Sequence, residues 1–131
     1  MQVVVTGATS FIGAATVKKL MEAGHQVFAV VRPASSNMKH LEKLAGGDLS
    51  GLVTICPLDL ADIRTLHGFS ADAWVHIGWD GAGSDNRTKR DVQQRNVTYA
   101  LDAVEAAAAL GCRRFLFTGS QAEYGVWHQT V

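Results

Sequence analysis

Net charge is what this sequence most plainly lacks: 12 lysines and arginines are balanced by 12 aspartates and glutamates. A surface that draws in nucleic acid or an acidic membrane through its overall field is excluded, so any anion site has to be built locally. Cysteine is scarce. Cys56 and Cys112 show neither a Cys-x-x-Cys arrangement nor metal-ligand spacing, and both are read as reduced, mostly buried thiols of a cytoplasmic protein. His25, His40, His67, His76 and His128 are scattered over loops and strand ends, without the pairing that a zinc site needs. No apolar run reaches membrane-spanning length, and neither a solenoid repeat nor a low-complexity tract is present. Met1-Gln2 leads straight into a strand-like run, so no signal or transit peptide is expected. What remains, 131 residues that are 47% apolar and 18% charged, suits one soluble globular domain with a real core.

The segment around which the rest is organised is Val3-Val4-Val5-Thr6-Gly7-Ala8-Thr9-Ser10-Phe11-Ile12-Gly13. A β-branched run stops at a glycine and a helical period starts soon after, which predicts strand, tight turn and helix start in one stretch. The first turns of a helix carry unpaired N–H groups and a partial positive charge, so a phosphate can sit against them. Gly7 permits the sharp reversal, and Gly13 lets the helix lie close to the sheet. No Gly-Lys-Ser/Thr follows, which rules out a nucleoside-triphosphate loop. A tight turn without a ligand is the competing reading.

Further strands are expected over Gln26–Val31, Leu52–Cys56, Ala73–Ile77 and Arg113–Thr118, after a first at Gln2–Thr6. Helices are expected over Phe11–Ala23, Met38–Leu44, Ala61–His67 and Asp85–Leu110. In the first of these Ile12, Val17, Leu20 and Met21 share a face; in the last, Val97, Leu101, Val104 and Ala108 form an apolar stripe with alanines beside it. The alternation, with short connections, predicts an α/β doubly wound parallel sheet in the order 3-2-1-4-5. Ligands on such sheets bind beyond the carboxyl ends of the strands, where the order reverses beside strand 1.

Thr6-Gly7-Ala8-Thr9-Ser10-Phe11-Ile12-Gly13 resembles the Thr-Gly-x-x-Gly-x-x-Gly signature of the extended short-chain dehydrogenase/reductase family, the nucleotide-sugar epimerase and dehydratase group. It departs at Ser10, where the family has its middle glycine; a side chain there crowds the pyrophosphate, although the hydroxyl offers a bond to a phosphate oxygen. Asp59-Leu60 resembles the Asp-Leu/Val whose carboxylate accepts from the adenine amino group. His76-Ile77-Gly78-Trp79 resembles the segment after strand 4 whose backbone lines the cofactor. Asn96 falls where the family's long helix carries an Asn near the nicotinamide. Arg114 to Gly125 resembles the strand-5 segment ending Ser-x-x-x-Tyr-Gly, which places Ser120 as the catalytic serine that hydrogen-bonds the reacting oxygen.

On that resemblance the cofactor-binding set is Gly7, Thr9, Ser10, Phe11, Ile12, Gly13, Arg32, Asp59, Leu60, Ile77, Gly78, Trp79 and Asn96, with no metal. Arg32 stands at the end of strand 2, where NAD binders usually carry an acid, and with Ser35 and Ser36 it suits a 2′-phosphate. Losing such a contact costs about 1.5–3 kcal/mol, roughly ten- to a hundredfold in affinity, which puts NADP ahead of NAD. Lys89, Arg90 and Arg95 read as a solvated face, with a substrate-phosphate role as the alternative.

Two departures bear on activity. Gln121-Ala122 follow Ser120 where the sugar dehydratases have Asp-Glu, so water loss by that route is disfavoured. The family's tyrosine with a lysine four residues on is missing: Ala103 follows Tyr99 and His128 follows Tyr124 at that spacing. The expectation is therefore the amino-terminal NAD(P)-binding portion of such an enzyme, cut before its catalytic helix. The whole protein would act on a nucleotide-sugar or related carbonyl or alcohol, and this chain alone would be inactive. A non-catalytic NADP(H)-sensing module is the alternative. The last strand would lie at an open sheet edge, which predicts self-association or a dimer.

Overall fold

The valines of the first two strands are buried on both faces because each strand has a neighbour on either side and helices above and below. The structure, a computed structural model, describes residues 1–44, 51–83, 85–120 and 124–125. Strands β1 (Gln2–Thr6), β2 (Gln26–Val31), β3 (Val53–Pro57), β4 (Ala73–His76) and β5 (Arg114–Phe117) form one sheet in the order β3-β2-β1-β4-β5. All four pairings are parallel, with Val4 opposite both Phe28 and Trp74. The expected order holds, and the reversal of strand order falls at β1.

Helices α1 (Phe11–Glu22) and α2 (Met38–Leu44) cover one face, where Val3, Val5, Val27 and Ala29 meet Ala14, Val17 and Leu41. Helix α3 (Arg90–Ala109) and a 3₁₀ turn at Leu60–Thr65 cover the other, where Val4, Phe28 and Trp74 meet Ile63, Ala103, Ala106 and Ala107. The described strands and helices lie close to their expected bounds, with three instructive differences. The segment expected as a helix over 61–67 is the 3₁₀ turn instead, capped by Asp59 Oδ1, which accepts from Ala61 N–H at 3.0 Å.

The long helix starts at Arg90 and not at Asp85, because Asn86 and Lys89 are spent on backbone turn bonds to Gly83 and Asn86. Its buried stripe is also rotated from expectation. Val97, Leu101 and Val104 are exposed, whereas Val92, Asn96, Ala103, Ala106 and Ala107 are buried. The sheet offers the bulk of Trp74 and Phe28 on this face, so small side chains let the helix come close. In α1 Ile12 likewise faces out, 58% exposed, although Val17 is fully buried as expected.

Cys56 and Cys112 are free and half-buried, and burial raises both thiols above their ordinary range. Among the described residues no helix is long and apolar enough to cross a membrane.

Candidate functional site

Three turns at the carboxyl ends of β1, β3 and β4, with the end of β2, meet around one cleft of about 1060 Å³. The first is the turn after β1. Gly7 takes φ +66°, a conformation that glycine adopts without steric cost, and a Cβ there would lie 2.7 Å from the Gly78 nitrogen. Its carbonyl accepts from the Ser10 N–H at 3.0 Å and from the Ser10 hydroxyl at 2.8 Å. Ser10 Oγ in turn accepts from the Gly13 N–H at 3.0 Å and so caps α1. The Ala14 N–H goes to the Ser10 carbonyl, which leaves the Phe11 and Ile12 N–H groups without a partner among the described residues. These two residues line the cleft. Ser10 lines it too, but its hydroxyl hydrogen is already given to Gly7, so the side chain holds the turn and does not stand ready for a phosphate oxygen.

The second turn is held from below by Thr6. Its hydroxyl oxygen lies 3.2 Å from both the Ile77 and Gly78 N–H groups and 2.9 Å from His76 Nδ1. Two amides donating into Thr6 leave its own hydrogen for His76, so Nδ1 is the acceptor and the neutral ring carries its proton on Nε2. Both side chains are buried, and Nε2 has no partner among the described residues. Phe115 and Phe117 stack on the imidazole with centroids 6.0 Å away. Burial lowers the His76 pKa to about 4, since an imidazolium would be cut off from water, with no counter-charge beside it among the described residues.

The loop that continues from Gly78 is pinned to α3. Asn96 accepts from the Asp80 N–H and donates to the Asp80 carbonyl, each at 2.8 Å, while Trp79 Nε1 donates to Gln93 at 3.1 Å. On the opposite side the Arg32 guanidinium stands 3.8 Å from the Asp80 carboxylate. Ser35, expected beside Arg32, donates to Thr9 at 3.3 Å and ties that loop to the first turn. Leu60 packs within about van der Waals contact of Gly78, where a Cβ would meet its methyls at 3.0 and 3.1 Å.

The cleft thus has three chemical parts: apolar walls from Val30, Val31, Leu58 and Leu60, amides at the mouth of α1 without a partner among the described residues, and a guanidinium at the end of β2. Residues 3–130 match the family model described as NAD dependent epimerase/dehydratase family. The chain belongs to that family. It is 28% identical over 129 residues to UDP-glucose 4-epimerase of Klebsiella pneumoniae, covering 95% of this chain and 93% of that sequence. Over 127 residues it is 35% identical to cinnamoyl-CoA reductase 1 of Oryza sativa subsp. japonica, covering 96% of this chain but 35% of that one. Among solved structures, UDP-glucose 4-epimerase from Bifidobacterium longum in complex with NAD+ and UDP superposes with a TM-score of 0.76 at 22% identity, over 95% of this chain and 38% of that chain. The chain spans little more than a third of the length of the last two.

Within this epimerase/dehydratase chain, Gly7, Thr9, Ser10, Phe11 and Ile12 line the cleft from the first turn, Arg32 just after β2, and Asp59 and Leu60 just after β3. Ile77, Gly78 and Trp79 line it after β4, and Ser120 after β5. Gly13 and Asn96 do not. Gly13 is under the turn, where a Cβ would fall 2.0 Å from the Gly7 carbonyl oxygen, and Asn96 is buried and spent on Asp80. Arg87 and Tyr99 line the cleft without having been expected, and Lys89, Arg90 and Arg95 do not line it. Val30, Val31 and Leu58 follow from the rule that strand ends form the site; nothing in the spacing pairs Thr6 with His76. Gln121, Ala122, Glu123 and His128 lie outside the described residues.

Proposed function

We propose that this chain is the NAD(P)-binding portion of an oxidoreductase or epimerase of the extended short-chain dehydrogenase/reductase type. The observation that carries the reading is the pair of amides at Phe11 and Ile12, without partners among the described residues and opening onto a cleft of dinucleotide size. The adenine lies between the walls of Val30, Leu58 and Leu60, with Asp59 at its edge, and the pyrophosphate sits against the α1 mouth. A bound dinucleotide supplies hydride exchange with a carbinol or carbonyl carbon. Ser120 donates a hydrogen bond to the oxygen on that carbon. UDP-glucose 4-epimerases among the relatives support a nucleotide-sugar substrate, and the cinnamoyl-CoA reductase supports the wider class of carbonyl compounds. Arg32 at the end of β2 supports NADP ahead of NAD.

Neither Tyr99 nor Tyr124 is followed by a lysine at the fourth residue, so this chain by itself binds without turning over. The same feature favours, as second reading, a non-catalytic module that reads NADPH against NADP. Calorimetric titration with NADP+ and NAD+ should show saturable binding of both, NADP+ the tighter, with no turnover when UDP-galactose is added. Absence of heat with either dinucleotide would defeat the reading, and a measurable kcat would defeat the inactivity of the chain alone.

Self-association is part of the same proposal. Val97, Leu101 and Val104 on α3 and Leu116 and Phe117 on the edge strand β5 leave apolar side chains exposed. Light scattering should give the mass of at least two chains, and a monomer at high concentration would count against it. The free thiols suit a reducing compartment, and cell fractionation should place the protein in the cytoplasm.

A further inference from the structure

We propose that Asp80 is a specificity-determining residue that holds Arg32 back from a ligand 2′-phosphate. The inference rests on the dinucleotide reading of the cleft and names what limits its preference between 2′-phosphorylated and unphosphorylated adenine nucleotides. Arg32 follows β2 and Asp80 lies in the loop after β4, with β1 between those strands. Their contact, 3.8 Å from Nη1 to Oδ1, therefore spans the mouth of the cleft above the Gly7 turn.

The two partners are not equally free. Asp80 is clamped at its own N–H and carbonyl by Asn96, which is 1% exposed, so its carboxylate is presented from a fixed loop. The Arg32 side chain is 66% exposed and has a long, rotatable stem. A guanidinium of that kind goes wherever negative charge is offered, and here a fixed carboxylate offers it first. A 2′-phosphate must displace Asp80 to take its paired bonds from Arg32, whereas a ribose with a plain 2′-hydroxyl makes no such demand. Because both groups meet solvent, the competition is modest and weakens with salt.

The test uses the 131-residue chain, with 2′,5′-ADP and 5′-AMP titrated calorimetrically at low ionic strength. In Asp80→Asn the ratio of 2′,5′-ADP to 5′-AMP affinity should rise roughly two- to fivefold, the range that an exposed ion pair supports. The gain should shrink in high salt and vanish when Asp80→Asn is made on an Arg32→Gln background. An unchanged ratio in Asp80→Asn overturns the inference while 5′-AMP still binds. So does a gain that persists without Arg32, because Asp80 would then repel the phosphate directly. If neither probe binds the unmodified chain, it is the dinucleotide reading itself that fails, and the inference goes with it.

Discussion

Gly13→Ala is expected to destabilise the protein by about 2 kcal/mol or more and to weaken nucleotide binding with it. Alanine is ordinarily the better residue inside a helix, by about 1 kcal/mol over glycine. Here a contact reverses the sign. The new methyl would lie 2.0 Å from the Gly7 carbonyl oxygen, 2.8 Å from its carbon and 2.9 Å from Ser10 Oγ. The first two are backbone atoms of a turn that is held at φ +66° and bonded to Ser10, so they cannot swing aside as a side-chain tip would. Relief requires α1 to tilt off the sheet or the turn to open, and either movement displaces the Phe11 and Ile12 amides. Urea unfolding and a NADP+ titration should report both losses together. A variant that unfolds at or above the wild-type midpoint would show that the turn is softer than its bonds imply.

That same turn marks where sequence reasoning works and where it stops. The valines of β1 and β2, the turn glycines Gly7, Gly24 and Gly111 and the alternation of strands with helices are local signals, and from them the sheet order followed correctly. The orientation of α3 did not follow, because it depends on the partner: Val97, Leu101 and Val104 look like the core-facing stripe until Trp74 and Phe28 fill that space from the sheet. Asn96 shows a comparable limit. Its position in the helix was legible, but one amide can line a cleft or clamp a loop, and only the fold brings Asp80 within 2.8 Å of both its polar atoms. For Ser10 the sequence offers both crowding of a pyrophosphate and a hydroxyl for a phosphate oxygen, and only the geometry shows that hydroxyl hydrogen given to Gly7.

The contact between Thr6 and His76 was hidden for a related reason: 70 residues separate them, and no spacing rule joins the end of one strand to the end of another. The burial of His76 carries the second large prediction, a loss of about 3 kcal/mol of stability between pH 6.5 and pH 4. Unfolded, the imidazole protonates near its ordinary pKa of 6.5; in the fold, burial holds that pKa at about 4. Below pH 6.5 the unfolded chain therefore takes up a proton that the folded chain refuses, and acid draws the equilibrium toward unfolding. The contribution is complete above pH 6.5 and is spent once pH has fallen through about 4. His76→Asn keeps an acceptor for the Thr6 hydroxyl but removes the titration. Ordinary carboxylate effects are common to both proteins and cancel in the difference. Unfolding free energies measured from pH 7 to pH 4 should thus fall more steeply for the wild type, with the gap between the two curves closing by that amount. Parallel curves would mean that His76 takes its proton inside the fold, although among the described residues Phe115, Phe117 and Thr6 surround it without a counter-charge.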